Sequence, residues 1–317
     1  MAPLTKVIDL HCDTLYEGNK TQTGLVNQSL HISLDKIPPG YQLCQALAVF
    51  VPDTLRGAAA EEHFWQVRSY FTRQYTRHAD RMDRISDMSA LESRESGKPF
   101  ASFLTIENAA ALAGKIENVE KFYHAGVRMM GLTWNAANEL CGGADTDEGF
   151  TPFGRAVVAE MERLGMVVDV SHLSDRAFTQ LCDFARKPFV ASHSNARSVC
   201  SHRRNLTDDM FRQIRDRGGL VGLNYYDNFI VPGGGSQNVD DLLRHVHHFL
   251  ALDGVGTLAL GSDFDGADMP PYLNGVDKLA DFFRAMEKSG LTAQTISQIR
   301  CGNAAGFFAR TAHPEQK

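Results

Sequence analysis

Short apolar, β-branched stretches alternate along the chain with longer amphipathic stretches. This alternation is typical of a mostly parallel α/β sheet, in which strands and helices follow one another. Eight segments have the strand pattern, namely residues 7–10, 43–51, 99–106, 127–133, 166–170, 189–191, 220–223 and 257–260.

The segments between these strands predict helices, and several carry signals for where a helix begins or ends. The clearest helical candidates are residues 58–85, 152–164, 174–185, 207–217 and 239–252. Ser174 and Thr207 stand where an N-cap is expected, each followed by aspartate in the first turn. Gly165 and Gly218 fall between a helix and the next strand, where a left-handed C-cap is useful.

No linker, composition shift or internal repeat divides the 317 residues. A chain of this length allows two ordinary domains or one large single-core fold. Strand and helix segments alternate without interruption, which favours one domain, residues 1–317, of eight βα units with helices at its C-terminal end. We therefore predict an α/β fold of the (β/α)8 or TIM-barrel type, whose active sites lie where the strands end.

Composition and charge exclude several classes of protein. A formal charge of -6 and an isoelectric point near 6.0 leave no basic excess for binding nucleic acid. The longest apolar stretches, such as residues 47–51, are far shorter than the roughly 20 residues of a membrane span. Residues 1–9 lack the apolar centre of a secretory signal, and six sparse cysteines form no Cys-x-x-Cys pair. We expect a soluble, cytoplasmic protein without nucleic-acid or membrane partners.

Polar side chains that can bind metals follow nearly every predicted strand. Because parallel strands of a barrel end at the same rim, these side chains are expected to converge at one mouth. In chain order the strand ends carry His11 and Asp13, Glu107, Trp134 and Asn135, His172, His193, Asn224, and Asp263.

His11 and Asp13 are two residues apart on an extended segment, so both side chains point to the same face. Imidazole nitrogen and carboxylate oxygen are both good ligands for zinc-like cations. A lone His-x-Asp pair is as often a surface accident, and His172 or His193 singly is more often a structural histidine. Their joint placement at strand ends favours a metal site.

Glu107 ends an apolar strand, where an unpaired carboxylate would be costly to bury. A carboxylate shared between two cations removes that cost. The five candidate ligands exceed the three that a single catalytic zinc usually takes, so their number fits two metals. We expect a hydroxide bridging the metals as nucleophile, and Asp263 in position to hold it and to carry a proton.

Other reactive side chains give weaker signals. His245, His247 and His248 lie in a helical stretch, and their spacing predicts a solvated helix face. Cys182 and Cys200 are expected to pack as small apolar side chains, since nothing beside them would activate a thiolate. The Gly-x-Ser-x-Gly motif of a serine nucleophile does not occur.

Ordered motifs over nearly the whole chain resemble those of the membrane (renal) dipeptidase family, the zinc dipeptidases of family M19. The motifs lie at residues 8–15, 127–132, 168–172, 192–205 and 261–266, and the match extends to Gly302 and Asn303. The resemblance implies a (β/α)8 hydrolase with two zinc ions. It also implies cleavage of dipeptides that have a free C-terminal carboxylate, often with a D-residue there.

Carried over position by position, the resemblance assigns a role to each site residue. His11 and Asp13 would hold one zinc, His172 and His193 the other, with Glu107 between them, while Asp263 would assist proton transfer. Arg204 would bind the substrate carboxylate with its planar fork, and Tyr226 would help there. On spacing alone, the Arg203-Arg204 pair fits a solvated cationic loop as well as a substrate-binding site. Family members are often dimers, which suggests a homodimer.

One position departs from the family pattern. Vertebrate-like members have histidine where this chain has Trp134, and tryptophan offers one N–H donor and a flat apolar wall. The substrate contact then falls to the indole, to Asn135 or Asn138, or to a zinc ion. Two alternatives stay open: an amidohydrolase acting on N-acyl amino acids or another small amide, and a non-catalytic binder with the same barrel. A deaminase would open with His-x-His after the first strand, whereas His11-Cys12-Asp13 has aspartate in the third place.

Overall fold

The computed structural model describes residues 4–91 and 96–311, and its centre is a closed parallel β-barrel. Strand neighbours run β2-β1-β9-β8-β7-β6-β5-β4, and the pairing of β2 with β4 closes the ring. The short strand β3 pairs only with β4 and adds to the sheet outside the ring. The strands are β1 (Thr5–Asp9), β2 (Tyr41–Phe50), β3 (Met82–Arg84), β4 (Phe100–Glu107), β5 (Val127–Gly131), β6 (Val167–Asp169), β7 (Val190–Ala191), β8 (Leu220–Leu223) and β9 (Leu258–Leu260). The predicted TIM barrel is confirmed.

Helices surround the barrel and follow most of its strands. They are α1 (Thr14–Thr21), α2 (Gly57–Arg77), α3 (Glu117–Ala125), α4 (Pro152–Leu164), α5 (Asp175–Phe184), α6 (Asp208–Asp216), α7 (Asp227–Ile230), α8 (Val239–Ala251), α9 (Leu279–Lys288), α10 (Ala293–Ser297) and α11 (Asn303–Thr311). Within the described ranges, no helix combines the length and apolarity needed to cross a bilayer.

The predicted helix boundaries are correct where a cap defines them. Ser174 Oγ accepts the backbone N–H of Ala177, and Thr207 Oγ1 accepts that of Met210. Gly165 and Gly218 have φ angles of 74° and 71°, the left-handed conformation expected of C-caps.

The predicted helix 58–85 is too long, because no cap or proline marks its end. Helix α2 stops at Arg77, and a turn follows in which the N–H groups of Arg81 and Met82 both point to the carbonyl of His78. Met82 then pairs with Phe100, which makes the next residues a strand. The amphipathic pattern continues through this turn and so conceals it.

The barrel interior is filled by apolar side chains and closed at its lower end by the C-terminal helix. Ile8, Phe103 and Met129 belong to one buried cluster with Phe307 and Phe308 of α11. The rings of Phe103 and Phe308 lie 5.3 Å apart in an edge contact. The lower end is therefore packed, and the opposite end, where the strands finish, is left for polar side chains.

Candidate metal centre

All nine residues predicted to form the site lie at the C-terminal end of the barrel. A cavity of about 710 Å³ opens there. Its walls include Asp13, Glu107, Trp134, His172, Arg204, Tyr226 and Asp263. His11 and His193 are each 1% exposed and lie beside two of these wall residues, Glu107 and His172. The strand ends thus converge as the sequence predicted.

The first and last strands are joined just beyond their ends, which brings two of the acidic groups together. The N–H of Asp13 donates to the carbonyl of Phe264 at 2.9 Å, and the N–H of Asp263 donates to that of His11 at 3.1 Å. On the same face, His11 Nε2 lies 3.3 Å from Asp13 Oδ2 and 3.8 Å from Asp263 Oδ1. The predicted shared face of His11 and Asp13 is what the structure shows.

Glu107 stands between the histidines, and its two oxygens face different ones. Oε2 lies 3.5 Å from His11 Nε2, whereas Oε1 lies 2.8 Å from His172 Nε2 and 3.8 Å from His193 Nε2. Two sets of ligand atoms are compact enough to hold an ion, one from His11, Glu107 and His193 and one from His11, Asp13 and Asp263. Glu107 is therefore placed where a bridging ligand would be.

The hydrogen bonds of His172 and His193 fit a bound cation. Their Nε2 atoms lie 2.9 Å apart, and each ring has a partner at Nδ1: Asn135 Oδ1 at 2.9 Å and Ser192 Oγ at 2.7 Å. With both protons on Nδ1, two Nε2 lone pairs face each other in a buried space. A cation held by these two nitrogens would replace their repulsion with ligation.

The pKa shifts of Glu107 and His11 also fit a bound cation. Burial, reinforced by the neighbouring Asp13 carboxylate, raises the pKa of Glu107 to about 8. For His11, burial alone would lower the pKa, but Glu107 and Asp13 raise it well above its usual value. His11 Nε2 and Asp13 Oδ1 are buried without a hydrogen-bond partner. Such a crowded, partly unsatisfied set of carboxylates and imidazoles fits divalent metal ions.

The backbone is strained at three positions around this centre. His172, Asp263 and Asp265 have φ angles of 70°, 64° and 65°, in the left-handed region. Such conformations cost on the order of 1–3 kcal/mol each and persist where the surroundings fix them. At Asp265 the fixing contacts are a hydrogen bond from Thr14 Oγ1 at 2.6 Å and one from the N–H of His31 at 2.6 Å. Two of these residues, His172 and Asp263, line the cavity.

Asp263 is held by a side chain that follows the neighbouring strand. Asn224 Nδ2 donates to Asp263 Oδ2 at 2.9 Å, which leaves Oδ1 facing His11. Burial raises the pKa of Asp263, and the nearby His11 opposes that effect. A carboxyl group whose pKa is raised in this way is suited to taking up and releasing a proton.

The structure distinguishes the two neighbouring arginines. Arg204 is 6% exposed, lines the cavity and lies over the ring of Phe229 at 5.4 Å. Burial lowers the pKa of Arg204 to about 10, so the guanidinium is still positive at neutral pH. The side chain of Arg203 is half exposed and lies 3.8 Å and 3.9 Å from the surface carboxylates of Asp145 and Asp147. Arg204 is thus the buried cation of the cavity.

Trp134 and Tyr226 form part of the aromatic lining. The Trp134 ring makes an edge contact with Phe50 at 5.1 Å and lies 6.2 Å from the His172 ring. Tyr226 packs against Phe229, with ring centres 4.7 Å apart, and its hydroxyl accepts a hydrogen bond from Asn228. Both side chains reach the cavity, as predicted.

The sequence does not identify the contacts that support the ligands. The strand-end rule places Asn135 and Asn224 at the rim, but it does not show that they contact His172 and Asp263. It does not select Asp169 or Ser192, because the position of a strand end does not show which side chains lie behind a ligand. His245 corrects a prediction: it is fully buried, not solvated, and Ala196 N–H donates to its Nδ1 while Nε2 contacts the carbonyl of Ile230.

Comparison with known proteins decides the family. A family model described as membrane dipeptidase, peptidase family M19, matches residues 2–314. The chain belongs to this family. It is therefore a metal-dependent peptide hydrolase of the M19 dipeptidases.

Two relatives are similar in sequence, and one of them is named a dipeptidase. A Klebsiella pneumoniae protein described as an uncharacterized protein in the pqqA 5' region is 33% identical over 246 residues, 74% of this chain and 91% of the relative. A Schizosaccharomyces pombe protein named an uncharacterized dipeptidase is 35% identical over 217 residues, which is 67% of this chain but 53% of that relative.

Solved structures of M19 enzymes have the same fold. The metallo peptidase dipeptidase AC of family M19 superposes with a TM-score of 0.91 at 25% identity, covering 97% of this chain and 98% of that one. A Rhodobacter sphaeroides metallo peptidase, solved with a phosphinate mimic of the dipeptide L-Ala-D-Ala, has a TM-score of 0.91 at 24% identity, with 97% and 99% covered. At that identity, the second likeness shows the fold.

Proposed function

We propose that this M19 metallo-dipeptidase hydrolyses dipeptides with a free C-terminal carboxylate, including L-Xaa-D-Xaa dipeptides, and that it does so with two zinc ions. The observation that carries the proposal is the position of Glu107, whose two oxygens face His11 on one side and His172 on the other. His11 and Asp13 would hold one ion and His172 and His193 the second. Bound there, zinc supplies a water of lowered pKa and polarises the peptide carbonyl.

The chain's own residues then bind the dipeptide and move the proton. Arg204 would take the terminal carboxylate in a bidentate ion pair, since its guanidinium is buried and positive at the cavity wall. Tyr226 is placed to assist at the same carboxylate. Asp263 would take a proton from the attacking water and deliver it to the leaving amine. Trp134 would form an apolar wall beside the scissile bond.

The L-Xaa-D-Xaa part of the proposal takes its substrate class from a protein with the same fold. The Rhodobacter sphaeroides metallo peptidase was solved with a mimic of L-Ala-D-Ala. The homodimer and the cytoplasmic location stay predictions, tested by analytical ultracentrifugation and by fractionation of cells that express the chain.

A substrate panel tests the proposed function. Zinc-loaded protein is incubated with L-Ala-L-Ala, L-Ala-D-Ala and N-acetyl-L-alanine at equal concentrations, with chelator-treated protein as the control. The proposal predicts that both dipeptides are cleaved and that N-acetyl-L-alanine is not. Cleavage of N-acetyl-L-alanine without cleavage of either dipeptide would show an amidohydrolase of another substrate class.

A further inference from the structure

His193 has behind it a chain of two further side chains, Ser192 and Asp169. Ser192 Oγ lies 2.7 Å from His193 Nδ1 and 2.5 Å from Asp169 Oδ2. All three residues are at least 96% buried, with relative exposures of 1%, 0% and 4%. A hydroxyl has one proton to donate, so Ser192 Oγ can donate to only one of these two partners. The hydrogen bond to the other partner is then one that Ser192 Oγ accepts.

The surroundings of Asp169 determine that choice. Its other oxygen, Oδ1, accepts the backbone N–H groups of Ser171 at 3.0 Å and of Ser192 at 2.9 Å. A carboxylate that already accepts two N–H donors is an acceptor for the hydroxyl as well. Ser192 therefore donates to Asp169 and accepts from His193, which places the imidazole proton on Nδ1 and leaves Nε2 bare.

We infer that Asp169 and Ser192 are positioning residues that fix the Nδ1–H tautomer of His193 and so strengthen metal binding at that ligand. The inference rests on the proposed function in that His193 is taken as a zinc ligand. The Nδ1 atom of His172 instead contacts a neutral group, the amide oxygen of Asn135 at 2.9 Å. His193 alone of the two is connected through a hydroxyl to a carboxylate, which also makes its Nε2 the more basic.

The hydrogen-bonded chain Asp169–Ser192–His193, called the relay below, makes a prediction that differs from one based on side-chain volume alone. In Asp169→Asn, the side-chain oxygen still accepts the two backbone N–H groups, so the new amide NH₂ faces Ser192 Oγ. That group donates to the hydroxyl, whose own proton then goes to His193 Nδ1 at 2.7 Å rather than to the more distant Ser171 Oγ at 3.4 Å. The imidazole proton moves to Nε2, where it blocks ligation. Asp169→Asn should therefore weaken metal binding more than Ser192→Ala, although it changes the volume of the side chain less.

Ser194 provides a matched control. It lies two residues along the same loop, it is 1% exposed, and its Oγ has no hydrogen-bond partner. Ser194→Ala removes a buried hydroxyl near the site without touching the relay. Any general effect of a lost hydroxyl on this loop should appear in Ser194→Ala as well.

The experiment measures zinc affinity and tautomer without substrate, so its result is independent of which peptide the enzyme cleaves. Zinc is titrated into each metal-free protein against a chromophoric chelator. The His193 tautomer is read in metal-free protein from ¹⁵N-histidine NMR, assigned by comparison with His193→Gln. We expect wild type and Ser194→Ala to have the Nδ1–H form and equal affinity. Ser192→Ala should lose about 10- to 100-fold at one of the two zinc ions, and Asp169→Asn more.

Two results would overturn the inference. One is wild-type zinc affinity in both Ser192→Ala and Asp169→Asn. The other is an Nδ1–H signal for His193 that persists in Asp169→Asn, because the relay would then not set the tautomer. If zinc affinities change as expected while no dipeptide is cleaved, the relay stands and the proposed substrate class fails.

Discussion

Removing the guanidinium of Arg204 should abolish the enzyme's preference for a free C-terminal carboxylate. The informative variant is Arg204→Met, which keeps an apolar stem against the ring of Phe229, now 5.4 Å from the guanidinium carbon. A hydrogen bond to a charged group contributes about 1.5–3 kcal/mol, so losing one lowers kcat/KM about 10- to 150-fold. Because Arg204 is 6% exposed, solvent does not replace the lost contact.

The assay compares two substrates in two variants. The first substrate is L-Ala-L-Ala and the second is its C-terminal amide, which lacks the carboxylate. Wild type should prefer the free acid by the factor given above, whereas Arg204→Met should cleave the two at nearly equal rates. Arg203→Met is the matched control, since its half-exposed side chain makes only long surface ion pairs worth at most about 1 kcal/mol. If Arg204→Met kept the wild-type preference, Arg204 would not bind the carboxylate.

Three further variants test other parts of the site and the fold. A Cβ on Gly266 would lie 2.1 Å from Asp13 Oδ2 and 2.8 Å from Asp263 Oδ1, so Gly266→Ala should lower zinc affinity about tenfold. Burial lowers the pKa of His245 to about 4, so below about pH 6.5 the unfolded chain binds a proton that the folded chain does not. Between about pH 6.5 and pH 4, His245 therefore contributes a fall in stability of up to about 3 kcal/mol. In urea unfolding, His245→Asn should lose that pH dependence. Trp134→His should lower dipeptide turnover about tenfold, the order of one lost aromatic contact.

Each of these variants has a result that would contradict its prediction. Wild-type zinc affinity in Gly266→Ala would mean that the carboxylates shift without cost. An unchanged fall in stability between pH 6.5 and pH 4 in His245→Asn would assign that fall to other groups. Unchanged turnover in Trp134→His would show that residue 134 is not a substrate contact.

The sequence predicts the barrel and the ligands for one physical reason. Parallel strands finish at the same rim, so polar residues that follow apolar strands must meet there, even when they are far apart in the chain. His11 and Asp263 are the extreme case, 252 positions apart in sequence and 3.8 Å apart at His11 Nε2 and Asp263 Oδ1.

What the sequence does not predict depends on packing rather than on pattern. Arg203 and Arg204 are identical in chemistry, and only the path of the loop buries one and exposes the other. His245 lies on a helix among apolar residues, yet it faces the core because two backbone groups satisfy its nitrogens there. The relay through Ser192 likewise depends on which side chain stands behind a ligand.

Zinc stoichiometry, measured together with activity, shows whether Glu107 joins two metal sites that are both needed for hydrolysis. Metal-free wild type, Glu107→Gln and the control Glu120→Gln, a change on the exposed face of α3, are each titrated with zinc while L-Ala-L-Ala hydrolysis is followed. A two-zinc centre with Glu107 between the ions predicts two zinc ions per chain, and activity that needs both, in wild type and in Glu120→Gln. In Glu107→Gln it predicts fewer than two ions and little activity. Full activity at one zinc ion per chain, or two tightly bound ions in Glu107→Gln, would contradict it.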